Sequence, residues 1–209
     1  MYKKLDIENW SRKPTFEFFR DFEDPFFNMT ANVDVTGLYN FCKENELSIA
    51  IALLYCSQKA ANEIREFRIR LLDGELVEYE IVEATQTILQ DDETFSFCYY
   101  QTASNIYDYV SAGRRDYQKY KSLNTFDVET DRLDLIYYSV IPWISFTSFK
   151  HASRLDKTQT VPRIVFGKIF EDGAKKKVPV SVEVNHTIMD GIHVGKYYSK
   201  LQENFDSPG

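Results

Sequence analysis

The residues best suited to chemistry lie in one stretch near the end of the chain. His186 is followed by Thr187-Ile188-Met189, then Asp190-Gly191, with His193 two residues further on. An imidazole is the usual general base near neutral pH, where it can both take and release a proton. A lone histidine is more often a satisfied core residue, so its setting decides. Val178, Val180, Val182 and Val184 alternate with Pro179, Ser181, Glu183 and Asn185, the period-two pattern of a half-buried strand. His186 continues the valine parity and is expected to project toward the buried side at the strand's end. Val194, Tyr197, Tyr198, Leu201 and Phe205 then fall at helical spacing. Asp190 sits where that helix should start, and aspartate is a favoured N-cap. The stretch therefore bridges a strand end and a helix start, where rigid scaffolds present groups to ligands. A separation of four would align His186 with Asp190 only within one helix, so no direct relay between them is expected.

The elements that must position this stretch are bounded by composition. At 209 residues, one domain (1–209) with a sizeable core is expected. Aromatics make up 15% of the chain, with 16 Phe and 14 Tyr, which calls for a large core, an aromatic pocket or an interface. The net charge of −7 argues against a phosphate backbone as partner. No apolar run approaches the roughly 20 residues of a membrane span. The N-terminus lacks the apolar region of a signal peptide. The three cysteines, Cys42, Cys56 and Cys98, have no metal or redox spacing and read as reduced, buried thiols of a cytoplasmic protein.

Along the chain, strands are expected at 2–8, 31–36, 67–72, 76–79, 85–89, 94–100, 133–140, 144–149, 163–170 and 178–186. Helices are expected around Pro14, at 37–43, at 49–64 behind Ser48, at 105–121 and after Asp190. Asp21 to Thr30, 122–132 and 151–161 read as loops. Asp73-Gly74 is a hairpin turn signal, and residues 171–174 read as a second hairpin. Strands and helices mix without strict alternation. That favours an α+β fold with helices on one face of a mixed, largely antiparallel sheet.

Asn185-His186-Thr187-Ile188-Met189-Asp190-Gly191-Ile192-His193 closely resembles the active-site signature of the chloramphenicol acetyltransferases. The resemblance runs in order along nearly the whole chain. It takes in Asp6 to Trp10, Phe16 to Arg20, Glu66-Phe67-Arg68, Asp73 to Val77, Glu93 to Ser96, and Pro142-Trp143 through Ser148-Phe149. It implies a two-layer sandwich of the coenzyme A-dependent acyltransferase superfamily, assembled as a homotrimer with sites between subunits. It implies acetyl transfer from acetyl-CoA to a hydroxyl in a ternary complex, without a metal. His186 would be the general base and Ser148 the donor to the oxyanion, also touching the cofactor. Asp190 would form a bracing ion pair with Arg20. Lys168 would lie near coenzyme A. Phe27, Phe95 and Phe97 would face the acceptor. His193 reads as structural, and His151 as a solvated loop residue.

Three departures bear on this expectation. Asn185 stands where the family has another histidine; by parity it points away from His186 and should tolerate change. Val165 replaces a threonine that helps hydrate the intermediate, which predicts a slower or rearranged site. Lys150-His151-Ala152 replaces a leucine-asparagine stretch of the acceptor pocket. The leading acceptor is chloramphenicol, with another small hydroxylated molecule as the alternative. A dihydrolipoyl acyltransferase core, for want of a lipoyl domain, and a binding protein with a vestigial site are weaker readings.

Overall fold

The computed structural model describes residues 1–209 other than 124, 127, 130, 153–155 and 157. The parts of the two expected loops at those positions lie outside the described residues. In chain order the elements are β1 (Tyr2–Lys4), α1 (Lys13–Phe19), β2 (Phe26–Asp34), α2 (Thr36–Glu44), α3 (Ile49–Asn62), β3 (Ile69–Leu72), β4 (Glu75–Tyr79), β5 (Glu83–Leu89), β6 (Phe95–Tyr100), α4 (Ile106–Leu123), β7 (Leu135–Val140), β8 (Arg163–Phe166), β9 (Phe170–Asp172), β10 (Lys175–Asn185) and α5 (Gly191–Asp206). The main sheet runs β2-β10-β8-β7-β5-β6, with β9 also on β10, and a small sheet runs β1-β4-β3. β7 is parallel to both β5 and β8, and the other pairs are antiparallel. This is the expected α+β architecture.

The helices cover one face of the main sheet. Tyr138 of β7 and Tyr197 of α5 both hydrogen-bond Ser57 of α3, at 2.9 and 2.6 Å. Gly113 lets α4 approach closely: a Cβ there would meet Ile51 at 2.9 Å and the Tyr100 ring at 3.1 Å. The small sheet is joined to the large one by Arg70, whose guanidinium donates to the carbonyls of Phe67, Ile69, Leu133 and Leu135. The Asp73-Gly74 turn closes its hairpin with positive φ at both residues, 50° and 82°, the geometry that matches strand twist.

Four expectations change. β2 begins at Phe26 rather than 31, because β10 pairs with it along its whole length, from Asn185↔Phe26 to Lys177↔Asp34. Residues 144–149 are not a strand; the Pro142-Trp143 turn leads the chain off the ladder, and it crosses to Lys168, whose N–H reaches Ile144 O at 2.9 Å. The expected strand 163–170 is split into β8 and β9. The break lies opposite Val178-Pro179, between the two ladders that β10 makes, where proline has no N–H to give. Finally, β10 is buried on both faces, not half-buried. Its valines meet the helices, while Ser181, Glu183 and Asn185 are covered by the chain between β7 and β8: Ser181 Oγ reaches Phe149 O at 3.4 Å, and Asn185 Nδ2 donates to Gln159 O at 2.8 Å.

Candidate active site

His186 lies at the end of β10, its N–H still paired to Pro25 O beside β2 at 2.8 Å. The imidazole stacks on Phe19 of α1, with centroids 4.0 Å apart and planes at 12°, and leans on Phe27 at 4.8 Å. Two aromatic walls therefore fix its orientation and leave about a third of the side chain open.

Beyond His186 the chain makes one tight turn. Asn185 O accepts from both Ile188 N and Met189 N at 3.1 Å. This single helical turn brings Asp190 back under the histidine, with Oδ1 3.1 Å from Nδ1. The expectation that these two residues stay apart is corrected: a turn between strand and helix serves the i,i+4 contact as well as a helix does. Nδ1 makes no aligned hydrogen bond to it.

The expected partner of Asp190 is also corrected. Arg12, not Arg20, pairs with it, through Nη1 to Oδ2. Arg12 precedes α1 and Arg20 follows it; eight residues of helix separate them by about 12 Å. Arg20 instead packs over the Phe16 ring at 5.5 Å. Arg12 also reaches His186 O at 3.3 Å, so one guanidinium ties α1 to both ends of the turn. Its burial lowers its pKa, and the charge of Glu66 opposes that.

His193 closes a capping box on α5: Asp190 N donates to its Nδ1 at 2.9 Å. Nε2 faces Glu66 Oε1 at 3.6 Å. Burial pushes this imidazole below its ordinary range, so it is held neutral, as the Nδ1 lone pair requires. Asn185 is not a tolerant surface position. It is buried, and its Oδ1 accepts from Thr187 N and Oγ1 at 2.9 and 2.7 Å, which sets the turn.

A second feature occupies the face of the sheet away from the helices. Neighbouring residues of β5, β6, β7 and β8 line a cavity of about 600 Å3, together with Ile141, Trp143, His151, Ala152 and Val128. Phe95 and Phe97 form one wall, in contact with Phe126 at 5.4 Å. Thr87 and Ser139, joined at 3.1 Å, form part of the floor. Val165 shares this floor row, between Ser181 and Ser139, and is fully buried. Arg163 and His151 make the far end. His151 is not solvated as expected: its ring packs on Phe149 at 4.9 Å and four-fifths of it is covered.

Within one chain the expected site residues fall into separate groups. Phe27 belongs with His186, whereas Phe95 and Phe97 belong to the cavity. Ser148 is exposed on irregular chain and makes no hydrogen bond to His186 among the described residues. Lys168 is exposed between β8 and β9. Arg12, Phe19, Arg163 and Glu183 were not singled out from sequence. Their signals lay in spacing only: Arg12 one helix length before Arg20, Phe19 within an aromatic run, and Glu183 on the polar parity of β10. Among the described residues no group of three or more His, Cys, Asp and Glu side chains is placed to hold a metal ion.

A family model described as chloramphenicol acetyltransferase matches residues 1–202. A chloramphenicol acetyltransferase of Clostridium perfringens is 30% identical over 205 residues, covering 97% of this chain and 94% of that protein. Chloramphenicol acetyltransferase 3 of Escherichia coli is 28% identical over 204 residues, covering 97% and 96%. A solved chloramphenicol acetyltransferase superposes with a TM-score of 0.84 at 25% identity, covering 97% of this chain and 99% of that one.

Proposed function

The chain belongs to the chloramphenicol acetyltransferase family and is an acyltransferase, and from that premise we propose that it moves acetyl from acetyl-CoA to a hydroxyl of chloramphenicol with His186 as general base. The observation that carries the assignment is the fixed imidazole: stacked on Phe19, flanked by Phe27, and 3.1 Å from a carboxylate that Arg12 already braces. A hydroxyl is a weak nucleophile near neutrality and gains from a base within reach. His186 takes the hydroxyl proton as the oxygen attacks the thioester carbon. Asp190 stabilises the imidazolium so formed. The C–S bond then breaks, the proton passes to the departing sulfur, and acetyl ester and thiol leave. Ser148 donates to the oxyanion between these steps, a contribution of about 3 kcal/mol when the donor is preorganised. Lys168 lies on the coenzyme A side.

The site is shared between subunits of a homotrimer. Two observations support this. His186 sits at the β2–β10 end of the sheet, whereas the cavity spans β8 to β6. β10 adjoins β8 at the Arg163 end of the cavity, but His186 packs on α1 on the helix side of the sheet, whereas the cavity lies on the other face. Exposed apolar side chains also flank both features: Phe18 and Ile192 beside the histidine, Trp143, Phe95 and Phe126 beside the cavity. A second reading is another small hydroxylated acceptor, favoured by Lys150-His151-Ala152 in place of the family's leucine-asparagine stretch. The test is thiol release from acetyl-CoA with and without chloramphenicol. Acceptor-dependent release is expected. Release equal in both arms would remove chloramphenicol as acceptor.

A further inference from the structure

The far end of the cavity carries a charge arrangement that its apolar walls do not require. Arg163 Nη1 donates to Glu183 Oε1 at 2.6 Å. The two sit side by side on β8 and β10. Arg163 lines the cavity, while Glu183, 2% exposed, does not; the carboxylate lies behind the guanidinium. The guanidinium plane rests over Phe26 at 4.9 Å. His151 stands beside the pair, its Nδ1 buried, 4.0 Å from Glu183 Oε1 and without a hydrogen-bond partner. Burial and Arg163 both lower its pKa, against the pull of Glu183, so it is neutral near pH 7. Among the described residues the other charged side chains near this end are paired: Lys150 with Asp24 at 3.1 Å, and Glu129 of the lining with Arg132 at 3.2 Å.

A guanidinium whose charge is balanced from behind remains a hydrogen-bond donor but offers little net attraction to an anion. A carboxylate entering here would be desolvated next to Glu183 without a cation of its own, and an ammonium would meet Arg163; both are costly. An uncharged group with electron-rich oxygens can accept from the guanidinium N–H groups that Glu183 does not take, and leaving such donors unmet is what disfavours a ligand lacking them. We propose that Arg163, backed by Glu183 and flanked by His151, is the specificity-determining end of the acceptor cavity, selecting an uncharged aryl acceptor that bears a hydrogen-bond-accepting substituent such as nitro or carbonyl. This rests on the reading that the cavity receives the acceptor. It goes beyond that reading in giving the cavity a charge rule, and in placing the rule's sign on one buried carboxylate.

The rule is tested by calorimetric binding of three forms of chloramphenicol that differ only at the para position: nitro, methyl and carboxylate. The wild-type protein should bind the nitro form about tenfold more tightly than the methyl form, and the carboxylate form least, as expected for a charge-assisted hydrogen bond. Glu183→Gln leaves Arg163 uncompensated and should tighten the carboxylate form about tenfold or more while changing the nitro form little. Arg163→Gln with Glu183→Gln should abolish discrimination between nitro and methyl. If the Glu183 variants do not fold, His151→Leu asks the same question, with the nitro form weakened several-fold and the methyl form unchanged. An unchanged carboxylate-to-nitro ratio in Glu183→Gln, or in its absence an equal effect of His151→Leu on nitro and methyl, overturns the charge rule alone. Binding of none of the three forms by the wild-type protein overturns the acceptor assignment beneath it.

Discussion

The role proposed for His186 sets a physical problem: an imidazole must be held still while it changes charge. Phe19 and Phe27 restrict the ring, and Asp190 Oδ1 lies 3.1 Å from it. Asp190 is itself held in place by Arg12. His186→Ala should therefore leave a folded protein and lower turnover by about two to four decades, the usual worth of a general base. Turnover near wild type, measured by thiol release, would take His186 out of the mechanism. The corrected ion pair gives a sharper comparison. Arg12→Met strands Asp190 beside His186 and should cost about 2–3 kcal/mol, below the 3–5 of a fully buried pair because a third of Asp190 is exposed. Arg20→Met removes only a contact over Phe16 and should stay within about 0.5 kcal/mol. Urea denaturation of both variants reads the difference; equal costs would return Arg20 to consideration.

At the scale of the element, the start of α5 does two jobs. Its first turn must be capped, and its cap residue is the carboxylate that faces the histidine. His193 closes the cap by accepting Asp190 N at Nδ1, which only the unprotonated ring can do. The groups facing it are Glu66 from the turn before β3, Arg12 from before α1, and Lys196 of α5 itself. Its pKa is lowered in the folded state, whereas the unfolded chain takes up the proton near the ordinary value of about 6.5. Stability from this group is then fully present above that value and is lost as pH falls below it. The melting temperature should decline between pH 7 and pH 5.5, and His193→Gln should flatten part of that decline while lowering stability by about 1 kcal/mol through the weakened cap. An unaltered slope would show that the proton is taken up elsewhere.

At the scale of the whole molecule, the main sheet separates His186 from the cavity, and the proposed head-to-tail ring of subunits would bring the two together. The exposed aromatic side chains at both places are the apolar core that such an interface needs. Joint refolding of two inactive variants, His186→Ala and Ser148→Ala, should then return part of the activity, because some mixed assemblies contain one intact site. Recovery of nothing, while wild-type chains refold well alongside, would confine each site to one chain. The same mixture run on a sizing column should elute at the mass of three chains.

How much of this was legible in the sequence differs from residue to residue. Period-two valines and the helical spacing after Asp190 located β10, α5 and the histidine between them, because burial periodicity is a local property of the chain. The Asp73-Gly74 turn and the α+β class were readable for the same reason. What paired with what was not local. Arg12 and Arg20 are chemically alike, and only the packing of α1 against the turn selects between them. Glu183 reads as a solvated strand residue until the chain between β7 and β8 covers it and β8 supplies Arg163. His151 reads as a loop residue until that same segment folds it against the sheet. Periodicity along one strand states which side chains share a face. It carries no information on what the opposite layer will bring to that face, since that layer comes from residues far away in sequence, and so the position of His186 was written in the chain while its partners and the charge of the cavity were decided by tertiary structure.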